Sequence, residues 1–228
     1  MNIEAIAHFR SPFGSKFGIP RQSGVVKNIR GSIILTPQWR KAEALEGITD
    51  FDYLWLIWGF SKNVSAPKHA TVRPPRLGGN VRKGVFATRS SFRPNNLALS
   101  SVRIEAVEWK GSEAPIIHVS GADLMDGTPI YDIKPYITFT DSHADAKSGF
   151  ADTVAWQQLE VSIPQEYGSL MSQDDLQTLH DILAQDPRPS YQSDAERIYG
   201  MEYAGRNVQF RVKGHLLEVL PPSDMFKK

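Results

Sequence analysis

A chain of 228 residues with 26 Lys or Arg against 25 Asp or Glu is close to neutral, and 41% apolar residues can build a core for one large domain or a medium domain with a smaller one. It has no cysteine, which excludes disulfides and thiolate metal sites, and it has no apolar run of bilayer-spanning length. The opening residues Met-Asn-Ile-Glu-Ala-Ile-Ala-His8 lack a basic stretch followed by an apolar one, so the expectation is a soluble cytoplasmic protein.

In chain order, Ile3 to Phe9 alternates apolar and polar residues and predicts a strand. The Pro- and Gly-rich run from Arg10 to Gly24 is too irregular for a helix; long ordered loops of this kind are usually functional. Val25 to Ile29 and Ser32 to Leu35, split by Arg30-Gly31, read as a hairpin. Thr36-Pro37 offers a cap and a first-turn proline for a helix ending near Glu46, before Gly47. Phe51 to Phe60 is almost continuously apolar and aromatic, as a strand buried on both faces would be. Further strands are expected at Gly84 to Thr88, at Leu97 to Trp109 with an irregularity where the alternation slips, at Pro115 to Ser120, and around Ile130 to Ile133 after an Asp126-Gly127 turn. A small, polar stretch near residues 141–154 reads as a linker. Beyond it come a strand at Leu159 to Ile163, a helix from about Ser172 to Gln185, and strands at Ile198 to Tyr203, Val208 to Val212 and Leu216 to Leu220. Strands that do not alternate with helices argue for an antiparallel barrel or sandwich, followed by a smaller α+β unit.

Charge is distributed unevenly. Between Tyr53 and Ile104 lie nine cations (Lys62, Lys68, Arg73, Arg76, Arg82, Lys83, Arg89, Arg93 and Arg103) and no Asp or Glu. Such a block attracts polyanions whatever the net charge, and its predominance of Arg interleaved with Pro and Gly suits phosphates and carboxylates. A solvated basic face is the plainer reading of the charge alone. No dinucleotide-binding glycine motif, phosphate-binding loop or serine nucleophile elbow is present, and the six histidines are scattered singly, without the spacing of metal ligands. No metal is expected.

Five blocks carry a resemblance: Pro20-Arg-Gln22, Val72-Arg-Pro-Pro-Arg-Leu-Gly-Gly-Asn80, Gly84 to Asn95 with its Ala-Thr-Arg and Arg-Pro-Asn, Asp123-Leu-Met-Asp126 continuing to Tyr136, and Asp186-Pro-Arg-Pro-Ser-Tyr191. In order and spacing they resemble the signature blocks of the TrmO (TsaA-like) family over nearly the whole chain. The resemblance implies a mainly β protein: a seven-stranded antiparallel β-barrel of non-Rossmann type over residues 1–140, a linker over 141–154, a small α+β domain over 155–228, and a homodimer. It implies a methyltransferase that uses S-adenosyl-L-methionine to methylate N6 of N6-threonylcarbamoyladenosine, just 3′ of the anticodon in threonine tRNA. Where the family commonly continues Arg-Pro-Asn with Pro-Ile-Gly, this chain reads Asn96-Leu97-Ala98.

Carried onto matching positions, the resemblance implies cofactor contacts at Pro20, Arg21, Gln22, Phe60, Ser61, Arg89, Leu99, Asp123, Leu124, Met125 and Asp126. Leu99, Leu124 and Met125 could form an apolar slot, Arg21 or Arg89 could receive a carboxylate, and Asp123 or Asp126 could face positive centres. Asp126, Tyr131 and Lys134 are the candidate catalytic groups, as base or polariser toward the acceptor nitrogen. Arg73, Arg76 or Arg93 could meet the threonyl carboxylate; with Arg82, Lys83 and Arg188 they are the candidates for the tRNA anticodon loop, and Phe92 and Tyr136 could stack on a base. Two other readings remain open at the level of sequence: a non-catalytic RNA-binding barrel, and a methyltransferase acting on a small anion.

Overall fold

Ala7 and Phe9 turn inward in β1 (Ala7–Arg10), as Ile33 and Leu35 do in β2 (Arg30–Leu35), because period-two alternation gives each strand one apolar face. In β3 (Tyr53–Gly59) the inward residues are Leu54, Leu56 and Trp58. The computed structural model describes residues 2–63, 69–78, 80–153, 157–188, 192 and 194–222, so Lys68, Tyr191 and the side chain of Arg76 lie outside the described residues. Two short strands follow, β4 (Thr71–Val72) and β5 (Lys83–Gly84). Then come β6 (Leu97–Glu108), β7 (Ile116–Ser120) and β8 (Thr128–Pro135).

The order β1-β2-β7-β6-β3-β8 closes on itself through antiparallel pairing of β8 with β1, giving a six-stranded barrel among the described residues. Six strands, not the seven expected, close it. The run Gly84 to Thr88 does not join: among the described residues β5 pairs with β4 alone, and the chain turns back as Thr88 N–H donates to Val85 O. Val25 to Ile29 is not a strand either, so the expected hairpin is absent and β2 takes β1 and β7 as neighbours. The expected slip in β6 appears as a register shift between Ile104 and Ala106. The helix expected from Thr36 to Glu46 is instead a series of single 3-10 turns. Among Pro37–Trp39 and Ala42–Leu45 only Leu45 is buried, so no apolar stripe exists to hold a longer helix against the barrel. After β8, the single turn α1 (Thr138–Asp141) is held to the barrel by Trp55, whose Nε1–H donates to Asp141 Oδ2 at 2.8 Å.

The second unit contains β9 (Glu160–Ser162), α2 (Gln173–Ala184), β10 (Tyr199–Tyr203), β11 (Arg206–Lys213) and β12 (Leu216–Val219). Ser172 caps α2 by accepting Asp175 N–H, and Leu179, Ile182 and Leu183 form its buried face. The sheet order is β10-β11-β12-β9, with β9 parallel to β12.

The barrel core gathers Phe9, Ile33, Leu54, Leu56, Val102, Ile117 and Leu124. The second core is not confined to the second unit. Phe13, Val26 and Ile29, from the segment between β1 and β2, are buried in it beside Leu179, Tyr203 and Phe210. Phe17 stacks on Tyr199 and Phe210 at ring separations of 6.3 and 6.2 Å. Gly18 follows at φ +93°, where an added Cβ would lie 2.5 Å from Met201 Cε, so both conformation and space favour glycine there. The long loop is thus a clasp between the two units.

Candidate functional site

A cavity of about 690 Å³ opens where that clasp meets β3, β6 and the turn before β8. The loop is fixed at both ends: Gly24 N–H donates to Gly121 O at 2.8 Å, and Asp126 N–H donates to Phe13 O at 2.9 Å. Between these ties Pro20, Arg21 and Gln22 line the cavity. The apolar lining includes Ile57, Trp58, Phe60, Leu97, Leu99 and Met125. Lys16, Arg21, Lys62, Arg89 and Arg93 bring positive charge, and Asp123 is the one carboxylate among the described lining residues. A mostly apolar cavity with a few convergent charged groups is the usual form of a small-molecule site.

Asp123 is held from behind. Trp58 Nε1–H donates to Ser100 Oγ at 2.9 Å, and Ser100 Oγ–H donates to Asp123 Oδ1 at 2.6 Å. The indole can only donate, so the serine hydroxyl spends its single proton on the carboxylate. Burial raises the Asp123 pKa above the ordinary carboxylate value; the Ser100 bond, main-chain N–H groups of Asp123 and Ser23, and the charge of Arg89 oppose that rise. Nearby, Arg89 Nη1–H donates to Gln22 Oε1, joining the clasp to the basic block. Arg93 Nη1–H donates to Thr88 O at 3.1 Å.

Nine of the eleven positions implied as cofactor contacts line this cavity: Pro20, Arg21, Gln22, Phe60, Ser61, Arg89, Leu99, Asp123 and Met125. Leu124 does not; it is buried in the barrel core. Asp126 does not line it either. Its Oδ1 accepts Ser11 N–H at 3.0 Å, so it closes the base of the clasp.

The other two candidate catalytic groups are not among the described lining residues either. Tyr131 packs over Gly59, where an added Cβ would meet its ring at 2.7 Å, and Lys134 pairs with Asp132 at 3.2 Å with its side chain 63% exposed. Of the candidates for RNA, Arg93 turns into the cavity, Arg73 and Arg82 are exposed, and Lys83 is half-buried in the β4–β5 ladder. The side chain of Arg188 is 12% exposed and pairs with Asp186. Tyr136 packs against Trp55 at 5.5 Å, whereas Phe92 remains 44% exposed.

Sequence reasoning missed Lys16, Trp58 and Ser100. Ser100 carried a usable signal, since a serine between inward Ala98 and Val102 needs a buried partner. The departure Asn96-Leu97-Ala98 also has a local account. Asn96 has φ 52°, a conformation asparagine tolerates and proline cannot adopt, and its carbonyl accepts Phe60 N–H at 2.9 Å at the end of β3.

The model of the tRNA-methyltransferase O N-terminal domain matches residues 8–142, and that of the TrmO C-terminal domain matches residues 154–221. A protein of Escherichia coli named tRNA (adenine(37)-N6)-methyltransferase is 38% identical over 225 residues, covering 95% of both chains. A protein of Pseudomonas aeruginosa named as a putative S-adenosylmethionine-dependent methyltransferase is 41% identical over 207 residues, covering 88% of this chain and 87% of its own. The crystal structure of TrmO from Pseudomonas aeruginosa superposes with a TM-score of 0.76 at 32% identity and covers 96% of each chain. With both domain models matched in order and a relative aligned along nearly its whole length, the chain belongs to the TrmO family.

Proposed function

We propose that this chain is an S-adenosyl-L-methionine-dependent methyltransferase acting on tRNA, at N6 of the adenosine just 3′ of the anticodon. Its substrate is the N6-threonylcarbamoyl form of that base in threonine tRNA. The observation that carries this reading is the cavity, where an apolar lining and a single buried carboxylate meet five cations. A cofactor with an adenine, a sulfonium and an amino-acid tail fits such a set, and one carboxylate tail does not use five cations. The surplus suits the anionic groups of the acceptor.

When bound, the cofactor supplies a methyl group activated on sulfur. Phe60, Leu99 and Met125 give an apolar slot for the adenine, with Pro20 and Ser61 beside it. Arg21 and Arg89, coupled through Gln22, offer guanidinium donors to the tail carboxylate. Asp123, kept an acceptor by Ser100, faces the positive centres. Arg93 takes the threonyl carboxylate of the acceptor. With Asp126, Tyr131 and Lys134 outside the cavity lining, these residues work by holding nucleophile and methyl donor in line and excluding water, a contribution that reaches about 7–11 kcal/mol in well-oriented intramolecular reactions.

Residues 1–140 carry the cofactor, and residues 155–228 hold the clasp and extend the surface for RNA. Two chains associate beside the barrel through exposed aromatic residues that do not line the cavity, Tyr53 and Phe139, which are 43% and 92% exposed. An enzyme acting on tRNA would work in the cytoplasm; no helix among the described residues is long and apolar enough to cross a membrane.

The test is nucleoside mass spectrometry of tRNA from cells with and without the gene. The expected result is loss of N6-methyl-threonylcarbamoyladenosine on deletion and its return when the gene is restored. An unchanged level of that nucleoside on deletion rejects the assignment. Sedimentation of the purified protein at twice the chain mass is expected for the dimer, and a single-chain mass rejects it.

A further inference from the structure

The turn that follows α2 reaches the cavity without lining it. Asp186 adopts φ 48° and accepts Arg188 Nε–H at 2.8 Å and Nη2–H at 2.9 Å, while the main-chain N–H of Arg188 points at the same carboxylate from 3.3 Å. Pro187 between them restricts the backbone further. An exposed ion pair would stabilise little, but this one is a two-pronged fork on a largely buried guanidinium. The order it imposes is transmitted through the main chain: Arg188 O accepts Arg21 Nη2–H at 3.1 Å. Arg21 lines the cavity, and its neighbour Gln22 holds Arg89, which lines it too.

We infer that Asp186 and Arg188 are positioning residues for the cavity: their ion pair fixes the turn whose carbonyl anchors the Arg21 guanidinium, so the C-terminal unit sets ligand affinity in the barrel. This rests on S-adenosylmethionine binding in that cavity. An arginine has many rotamers, and ordering it only when the ligand arrives subtracts from affinity. Here the Arg188 carbonyl orders it beforehand. The arrangement also accounts for the burial of most of the Arg188 guanidinium.

The test is a double-mutant cycle of Asp186→Asn with Arg21→Met, reading S-adenosylmethionine affinity by calorimetry and, for weak variants, by ligand-observed magnetic resonance at millimolar cofactor. Asparagine tolerates the positive φ, removes the charge and turns one of the two accepting oxygens into a donor. Coupling between members of one network leads us to expect about a fivefold loss from Asp186→Asn in the unmodified background and less than about a twofold loss once Arg21 is Met. Arg188→Lys, which keeps charge but lacks the fork, should repeat the pattern.

Thermal unfolding is followed in parallel, because a purely structural role lowers affinity to the same extent in both backgrounds. Equal losses in the two backgrounds, or no loss in the first, overturn the inference. Failure of the unmodified protein to bind the cofactor would instead overturn the reading of the cavity on which the inference stands.

Discussion

At the scale of single residues, burial and the chain Trp58–Ser100–Asp123 act in opposite directions on the protonation of the cavity's carboxylate. Burial lifts the Asp123 pKa, so the folded protein holds that proton more tightly than the unfolded one. Asp123 therefore contributes most to stability below the ordinary carboxylate pKa of about 3.9, and that contribution is lost as pH rises through the folded value. If Asp123 faces the sulfonium or ammonium as proposed, cofactor affinity should run the other way and be lost as pH falls through the same value.

Ser100→Ala removes a bond that favours ionisation and must raise the Asp123 pKa further. The acid limb of cofactor affinity should then move to higher pH, as calorimetry at a series of pH values upward from the ordinary carboxylate range would read. An acid limb that stays where it is in Ser100→Ala would show that the serine does not control the carboxylate. The sequence could not separate Asp123 from Asp126, two carboxylates three positions apart around a turn. What separates them is the local path of the chain: one meets Ser100, the other the main chain of Ser11.

Between residues and fold stands the clasp, residues 11–29, which has no regular secondary structure and owes its shape to the aromatic side chains it buries elsewhere. Phe17 between Tyr199 and Phe210 is the nearest such anchor to Pro20-Arg-Gln22. Phe17→Ala should destabilise the protein by about 2–3 kcal/mol, less than a fully buried phenylalanine because Phe17 is only partly buried. It should also weaken cofactor binding by loosening the segment that carries Arg21. Denaturant unfolding and calorimetry on the same variant check both halves, and lost stability with unchanged affinity would uncouple the clasp from the site.

The strands of the barrel were legible because alternation is local, and β6 even announced its slip. The clasp, the 3-10 turns after Thr36 and the short β4–β5 ladder were not legible, because each depends on partners distant in sequence. Val26 and Ile29 looked like a strand on composition alone, and what they do is fill the second core.

For the whole molecule, the uneven distribution of charge gains a direction once the cations are sorted. The net charge of +1 conceals a block of nine cations without an acid, and three of these, Lys62, Arg89 and Arg93, line the cavity. Arg73 and Arg82 face solvent outside it, while Arg188, far along the chain, is neutralised by Asp186. A long polyanion can therefore be held by exposed arginines while one of its residues is inserted toward the cavity. If that is how tRNA binds, its affinity must fall steeply with salt, since each phosphate neutralised releases counterions. Arg73→Ala should weaken tRNA binding and reduce the slope of log affinity against log salt by about one, leaving S-adenosylmethionine affinity unchanged. Arg89→Ala should instead weaken the cofactor most, because Arg89 lies within the cavity and supports Gln22 there. Filter binding of tRNA at several salt concentrations, set beside calorimetry with the cofactor, measures both. Equal effects of the two substitutions on the two ligands would mean that cavity and surface form one undivided anion site.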